Sequence, residues 1–538
     1  MPVTVDSKEI PIELVGSSVF GRYNTVSASR TYNMFITSSA DGKEEWLVNF
    51  AGYVARQIIV EESAGVGRGV FHSIRGDFLI AVVGPTVFRI DSVGSPATIV
   101  GSIPLNTNEV SIDENLNSQI CIVDGTTAYI YNYAESPVVF GAAVYTPDAA
   151  PDFIPNYVSF QNTYFIFGNG SETATGNLAW VYKSAYTNTA SALTLEFQAN
   201  IALQTKPDYA VAALPIPGHA NSLLVFGKTV AEIYTQVPTL ATYQKNQSVN
   251  IDYGCASIST IAANENIVAW LAVNEKSSPT IMAMTGGGAQ RISSDGIDNL
   301  MDTIQHPESS TAFFFRQDGH LFYVLTFYHA DDNISLTYDF TTQKFYDLTD
   351  WDFSYYPARQ VAYFQGQLYF VSIKDTKLYE LGSDITQYIT FPGLEEYDIP
   401  RIRVSDTFRL PTPEKFRIRM FTFVLESGTT PGVTGLLQCD GYILTEATDA
   451  IIYTEDDLPI LTEQGACEII KPRIDLMISK SGGLTWSNTV PYYMHNTGYY
   501  QCQPRFNSLG AANNITFQLR FWSCGRIVIK NAMVEVGP

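Results

Sequence analysis

Positive charge is scarce in this chain of 538 residues: 32 Lys and Arg stand against 54 Asp and Glu, a formal charge of −22. A surface built to grip phosphate backbones or anionic lipid needs the opposite excess, so any contact with DNA is expected to be weak or repulsive. Long apolar runs are also missing. No stretch approaches the ~20 apolar residues of a membrane span. The opening MPVTVDSKEIPIEL lacks the basic and apolar regions of a signal peptide, so a product made in a cytosol is expected. Cysteines are few, and Cys121, Cys255, Cys439, Cys467, Cys502 and Cys524 form no CxxC and no short Cys/His spacing. Neither a zinc motif nor a redox motif is indicated; buried free thiols are expected, with a disulfide among the last four as the alternative. Histidines 72, 219, 306, 320, 329 and 495 make no HxH or HExxH spacing, so a metal site would have to be assembled from residues distant in sequence. No metal and no cofactor are expected.

What is abundant points to strands. Hydrophobic residues make up 46%, with 32 Tyr, 31 Phe, 38 Gly and 26 Pro, a mixture that favours strands and turns over helices and predicts an all-β fold. Residues 1–60 read as an extended N-terminal arm in which TYNMFI (31–36) and EEWLVNF (44–50) can pair across a turn at Asp41 and Gly42. From 61 to 390 one design recurs: a strand, a polar turn and an aromatic strand, as in SIRGDFLIAVVGPTVFRID, NSQICIVDGTTAYIYNY and AFFFRQDGHLFYVLTF. Taking Asp77, Gly125, Gly168, Gly227, Asn266, Gly319 and Gly366 as equivalent points gives seven units. Their spacing is near the ~40 to 50 residues of a four-stranded propeller blade. Each unit alternates apolar and polar residues at period two, so each sheet has two faces to cover. Radial stacking covers them, and ring closure removes the end units that a solenoid would have to cap. A central β-propeller of six or seven blades is therefore predicted, one unit being shared between the N-terminal arm and the last repeat. One helix is expected over 293–304, with Ser294 as N-cap and Ile297, Leu300, Met301 and Ile304 on one face. After 390 the strands lengthen, and 391–538 reads as a separate C-terminal β-sandwich or barrel.

Several short motifs favour structural readings. SKSGGLTWSN (479–488) resembles the Asp-box hairpin of sialidases with Ser481 in place of the aspartate; Gly482 and Gly483 supply the turn and Trp486 the packing. Arg75, Gly76 and Asp77 spell an adhesion tripeptide at a hairpin where Gly-Asp is ordinary turn chemistry. GVGRG (65–69) and GGG (286–288) neither follow a strand and open a helix nor precede Lys-Ser or Lys-Thr, so they read as turns or bulges and not as phosphate loops. Acidic pairs such as Glu61 with Glu62, Asp331 with Asp332 and Asp456 with Asp457 read as solvated surface. No catalytic residue is assigned. Arg401, Arg403, Lys415, Arg417 and Arg419 cluster at period two on strands expected to be neighbours. They read as a subunit interface that meets an acidic face of the next copy, the alternative being a concealed basic stripe for DNA.

In order along the chain, SASRTYNMFI, GVGRGVFHSIRGDFLIAVVGPTVFRID, LLVFGKTVAEIYTQ, DYGCASISTIAANENIVAWLAVNEKSSPTIMAMTGGGAQRIS and LRFWSCGRIVIKNAMVEV resemble the packaged-DNA stabilisation proteins that form the tail nozzle, or tail hub, of short-tailed phages (podoviruses). The matching points run from residue 28 to 536; the acidic insertion 439–468 departs from the pattern. The resemblance implies a non-enzymatic virion structural protein of the phage tail, assembled in the bacterial host cytoplasm. It implies a hexameric ring below the portal-adaptor (head-to-tail) protein that extends the DNA channel, helps retain packaged DNA until ejection, and carries a tailspike, fibre, needle or plug. DNA would pass without specific binding. Two rival readings are a propeller glycosidase or sialidase-like tailspike enzyme and a carbohydrate-binding receptor-recognition protein.

Overall fold

The computed structural model describes residues 8–537 apart from 22–28, 40–41, 59–64, 135–137, 147–152, 172–177, 185–191, 238–241, 287, 392–394, 412–413, 429–435, 440–466, 471–472, 495–500 and 523–524. Strands dominate, and the chain divides into two compact units. One comprises 1–54, 336–354 and 383–538; the other comprises 55–335 and 355–382.

The second unit is a propeller of seven blades. Four-stranded antiparallel sheets are built by Gly67–Ser73, Phe78–Val83, Thr86–Ile90 and Thr98–Ser102, then by Ser111–Glu114 through Val139–Ala142. The third runs from Pro155–Gln161 to Thr194–Ala202 and the fourth from Ala212–Pro215 to Tyr243–Ile251. The fifth is centred on Ile267–Asn274 and Ser277–Thr285, and the sixth opens with the hairpin Ser310–Gln317 and His320–Phe327. In the seventh, Ala358–Phe364, Gln367–Ser372 and Lys377–Gly382 are joined on the outside by the strand Gly52–Ile58 that begins the unit. Arg56 Nε donates to Glu380 Oε2 at 2.6 Å there, fastening the first strand to the last. The last blade is thus shared between the two ends of the repeat region, as the repeat count anticipated.

Period-two patterning has its outcome in the clusters between blades. Phe78, Ile80 and Val82 of the first blade pack on Ile120, Ile122 and Tyr131 of the second. Phe226 and Ile233 of the fourth meet Trp270 and Met284 of the fifth. Closure is apolar as well, with Val70, Leu79 and Ala81 of the first blade against Phe364, Tyr369 and Val371 of the seventh. The first hairpin of every blade carries a residue at positive φ: Asp77, Ser118, Asn162, Asn221, Glu265, Asp318 and Gln365. Asn and Asp tolerate this region, which explains the polar turns of the repeat.

The anchors chosen from sequence prove not to be equivalent. Asp77, Asn266, Gly319 and Gly366 lie at or beside first hairpins, Gly125 and Gly227 at second hairpins, and Gly168 inside the strand Tyr164–Asn169. A Cβ at Gly168 would stand 2.0 Å from the Val211 carbonyl oxygen, so this glycine allows two backbones to touch and marks no turn. The helix spans Asp295–Met301, between the fifth and sixth blades, and Ser294 Oγ accepts from the Ile297 N–H. It ends before Ile304, because the chain turns at Asp302 to reach the next inner strand.

The first unit is a β-sandwich. In one sheet Met34–Ser38 pairs with Glu45–Asn49, and Arg526–Gly537 lies between Glu45–Asn49 and Phe416–Gly428. The turn residue Asp41 lies outside the described residues; Gly42 has φ of +68°. Lys8–Ile12 pairs with Ala532–Val536, so the two chain ends share this sheet. In the other sheet Arg401–Val404 lies between Arg30–Tyr32 and Asn514–Trp522, followed by Arg473–Ser479. The faces meet through Phe421 stacked on Phe517 at 4.4 Å and Phe423 edge-on to Phe521. Cys121, Cys255 and Cys502 are buried free thiols. Most of the acidic insertion 439–468 lies outside the described residues, as do Glu61, Glu62, Asp456 and Asp457.

Candidate functional site

The inner strands of the propeller enclose an axial space, with a cavity of about 420 Å³ at one level and one of about 490 Å³ beside it. Glu109 and Asp113 line the first cavity, and Glu109 and Glu308 the second. Glu109 accepts hydrogen bonds from Thr311 Oγ1 at 2.7 Å and Gln360 Nε2 at 2.6 Å, with Arg359 Nε at 3.9 Å. Burial pushes its carboxyl up to about 7 against the pull of Arg359 and these hydrogen bonds. Asp113 accepts from the N–H groups of Phe160 at 2.6 Å and Glu114 at 2.8 Å, and burial pushes it likewise to about 7.

Two buried arginines stand behind Glu109. Arg359 donates to the carbonyls of Gly67 and Thr107, and Arg68 to those of Asn108, Gly84 and Pro104. Through these bonds the guanidinium groups hold the loop 104–109 to the first and seventh blades. The network therefore clamps the closure of the ring, with Arg68 Nη2 and Arg359 Nε left buried and without a hydrogen-bond partner among the described residues. Sequence reasoning missed it because Arg68, Glu109 and Arg359 look like ordinary polar residues until the ring closes.

The arginine set splits. Arg401 and Arg403 are buried, at 0% and 1% exposure. Arg401 donates to the Thr386 carbonyl; Arg403 donates to the Leu14 and Ser17 carbonyls and to the hydroxyls of Ser29 and Thr31. Lys415 and Arg417 are exposed, and Arg419 lies over Gly537, where a Cβ would come 2.5 Å from its Nε. The two strands are not neighbours: Arg401–Val404 pairs with Asn514–Trp522, and Phe416–Gly428 pairs with Arg505–Ala512 and Arg526–Gly537. The structure therefore brings together neither the five residues nor a continuous basic stripe.

The motif readings resolve locally. Ser481 Oγ accepts from the Thr485 N–H at 2.9 Å, and Ser479 Oγ accepts from the Gly483 N–H at 2.9 Å, so hydroxyls do the turn-holding of an Asp box. At Arg75-Gly76-Asp77, Ser73 Oγ accepts from the Gly76 N–H and Arg75 Nε reaches Ser118 Oγ, which fixes a hairpin. In GVGRG the register shifts between Gly67 and Gly69, a bulge that turns Arg68 inward. Among the described residues, one group of imidazole and carboxylate side chains has metal-like spacing, His306, His329 and Asp331. Among the described residues no helix is long and apolar enough to cross a membrane.

A family model described as Bacteriophage P22 Gp10, beta-propeller, matches residues 27–386. The chain belongs to this family. It is a phage structural protein of the packaged-DNA stabilisation kind, a family whose place is the virion tail. No curated protein sequence matches the chain. Among solved structures it is similar to the computationally designed Ika8 protein, at 10% identity and TM-score 0.35 over 61% of this chain and 100% of the other. The Neurospora crassa Pan2 WD40 domain aligns at 8% and 0.37 over 67% and 100%. An ancestral GH74 enzyme aligns at 11% and 0.39 over 68% of this chain and 51% of its own. At these values none bears on function.

Proposed function

We propose that the chain is a subunit of a short-tail nozzle or hub, assembled in the host cytoplasm as a hexameric ring below the portal-adaptor. The ring extends the DNA channel, helps retain the packaged genome, and carries a tailspike, fibre, needle or plug. The observation that carries this reading is the match of residues 27–386 to the phage propeller family.

Physical arguments support it. The two axial cavities of one propeller, at about 420 and 490 Å³, hold on the order of 30 waters together at ~30 Å³ each, far too few to admit a duplex. DNA passage requires a channel built between copies. The net charge of −22 suits a wall that repels phosphates and lets the genome slide. Arg68 and Arg359 are both engaged internally, in keeping with passage without binding. Electron microscopy of virions labelled through this chain tests the reading. A sixfold ring at the tail is expected; a threefold spike, or absence from the tail, overturns it.

A further inference from the structure

We propose that His306, His329 and Asp331 form a binding site for one divalent transition-metal ion of the zinc class, with water completing the coordination. The site lies at the propeller surface, where the loop after the helix Asp295–Met301 meets the loop that follows the strand His320–Phe327.

The three ligand atoms lie within 4.8 Å of one another. His329 Nδ1 is 3.3 Å, and His306 Nε2 3.9 Å, from Asp331 Oδ2. With metal–ligand bonds of ~2.0 to 2.2 Å, neighbouring ligands of a tetrahedral ion stand about 3.3 to 3.6 Å apart. The first separation fits as it stands, and a small rotation of the exposed Asp331 side chain closes the second.

Neighbouring groups orient the two rings. His306 Nδ1 lies 3.1 Å from Glu308 Oε1, so its proton belongs there and the Nε2 lone pair faces Asp331. The Asp331 N–H points at His329 Nδ1 from 3.3 Å, a long contact that an ion bound at Nδ1 would have to displace. With that contact displaced, two ring nitrogens and one carboxylate oxygen stand within reach of a single ion. The two rings lie side by side with centroids 3.7 Å apart. One divalent ion satisfies all three groups, and Glu308 takes the place of the carboxylate that commonly orients a ligating imidazole.

The geometry is held from behind. Asp332, 5% exposed, accepts from the N–H groups of Gln305 at 2.9 Å and His306 at 2.6 Å, tying the loop of His306 to the loop of His329 and Asp331. The ligands are therefore preorganised by a buried neighbour that is not itself a ligand. Two imidazoles with one carboxylate suit zinc and its first-row neighbours better than calcium or magnesium, which prefer all-oxygen shells.

Isothermal titration of the chelator-stripped, reduced full chain with zinc chloride tests the site, and cobalt absorption reports the ligand field. One equivalent is expected to bind. His306→Ala with His329→Ala should abolish that event, and Glu308→Gln should weaken it by about tenfold, at the low end for an outer-shell carboxylate. Should the histidine variants fail to fold, Asp331→Asn, at an exposed position, gives the same reading through at least a tenfold loss. No binding by the parent chain at millimolar zinc, or unchanged binding in the folded variants, overturns the proposal.

Discussion

Arg403→Lys keeps the charge and removes the planar fork, which makes it a sharp test of how the sandwich holds its N-terminal segment. The guanidinium is 1% exposed and makes its hydrogen bonds to neutral acceptors. Nε donates to the Leu14 carbonyl at 2.6 Å, and Nη1 reaches Ser29 Oγ and Thr31 Oγ1 at 2.9 Å and the Ser17 carbonyl at 3.2 Å. Gly16 packs directly on it, since a Cβ there would stand 2.3 Å from Nη2. Burial pulls the Arg403 pKa down to about 10, so the group stays charged at neutral pH. A lysine ammonium has three donors in a compact head and cannot span this set. Leaving two buried acceptors without a charged donor costs roughly 1.5 to 3 kcal/mol each, about 3 to 6 kcal/mol in all. That is a large part of the ~5 to 15 kcal/mol that holds a domain folded. Amide hydrogen exchange by mass spectrometry is the suitable assay, because a chain of two units need not unfold in one step. Exchange should accelerate in 14–18, 29–32 and 401–405 of the variant and stay at the parent rate in the propeller strands. Variant rates within about 0.5 kcal/mol of the parent in all three segments would refute the reasoning.

Glu109 and Asp113 have folded pKa values of about 7, above their unfolded values, so the native state holds their protons more tightly. Their contribution is fully present below about pH 4 and is lost as pH rises through about 7; Glu109→Gln should flatten the fall in propeller stability seen in melts across that window. Trp270→Ala, which removes a fully buried indole packed edge-on to Phe226 and donating to the Gly254 carbonyl, should cost about 3 to 5 kcal/mol in urea unfolding. Charge reversal at the surface residues Lys415 and Arg417 should impair ring assembly while the circular dichroism spectrum of the monomer stays unchanged; normal assembly would remove these residues from the interface. Duplex DNA should bind negligibly at ~50 mM salt, and tight binding that weakens steeply with added salt would contradict the slippery-channel reading.

Much of the fold was legible in the sequence because it is written locally. Alternation such as Gln367, Leu368, Tyr369, Phe370 marks a strand with two faces whatever lies beyond it, and a Gly, Asn or Asp at a hairpin marks a backbone in the left-handed region. Seven repeats of that sentence predict a propeller, and Ser294 before Asp295 predicts the helix start. The candidate site was less legible. Period two places Arg401 and Arg403 on one face of their strand, but whether that face is inward is not a local property, and the register shift between Ile418 and Met420 breaks the alternation at Arg419. Arg401 and Arg403 are both buried, Arg401 against the Thr386 carbonyl and Arg403 against carbonyls that the N-terminal segment supplies from nearly four hundred residues away in sequence.

What the sequence by itself determined is therefore the class of element, the repeat and the acidic net charge, all of which follow from side-chain periodicity, turn chemistry and composition. Only the tertiary structure decided which residues meet. It placed Gly52–Ile58 on the last blade, closed the ring over Arg68, Glu109 and Arg359, and set His306 beside His329. Periodicity constrains neighbours two to four residues apart, whereas these contacts depend on how whole sheets stack, and no local pattern records that.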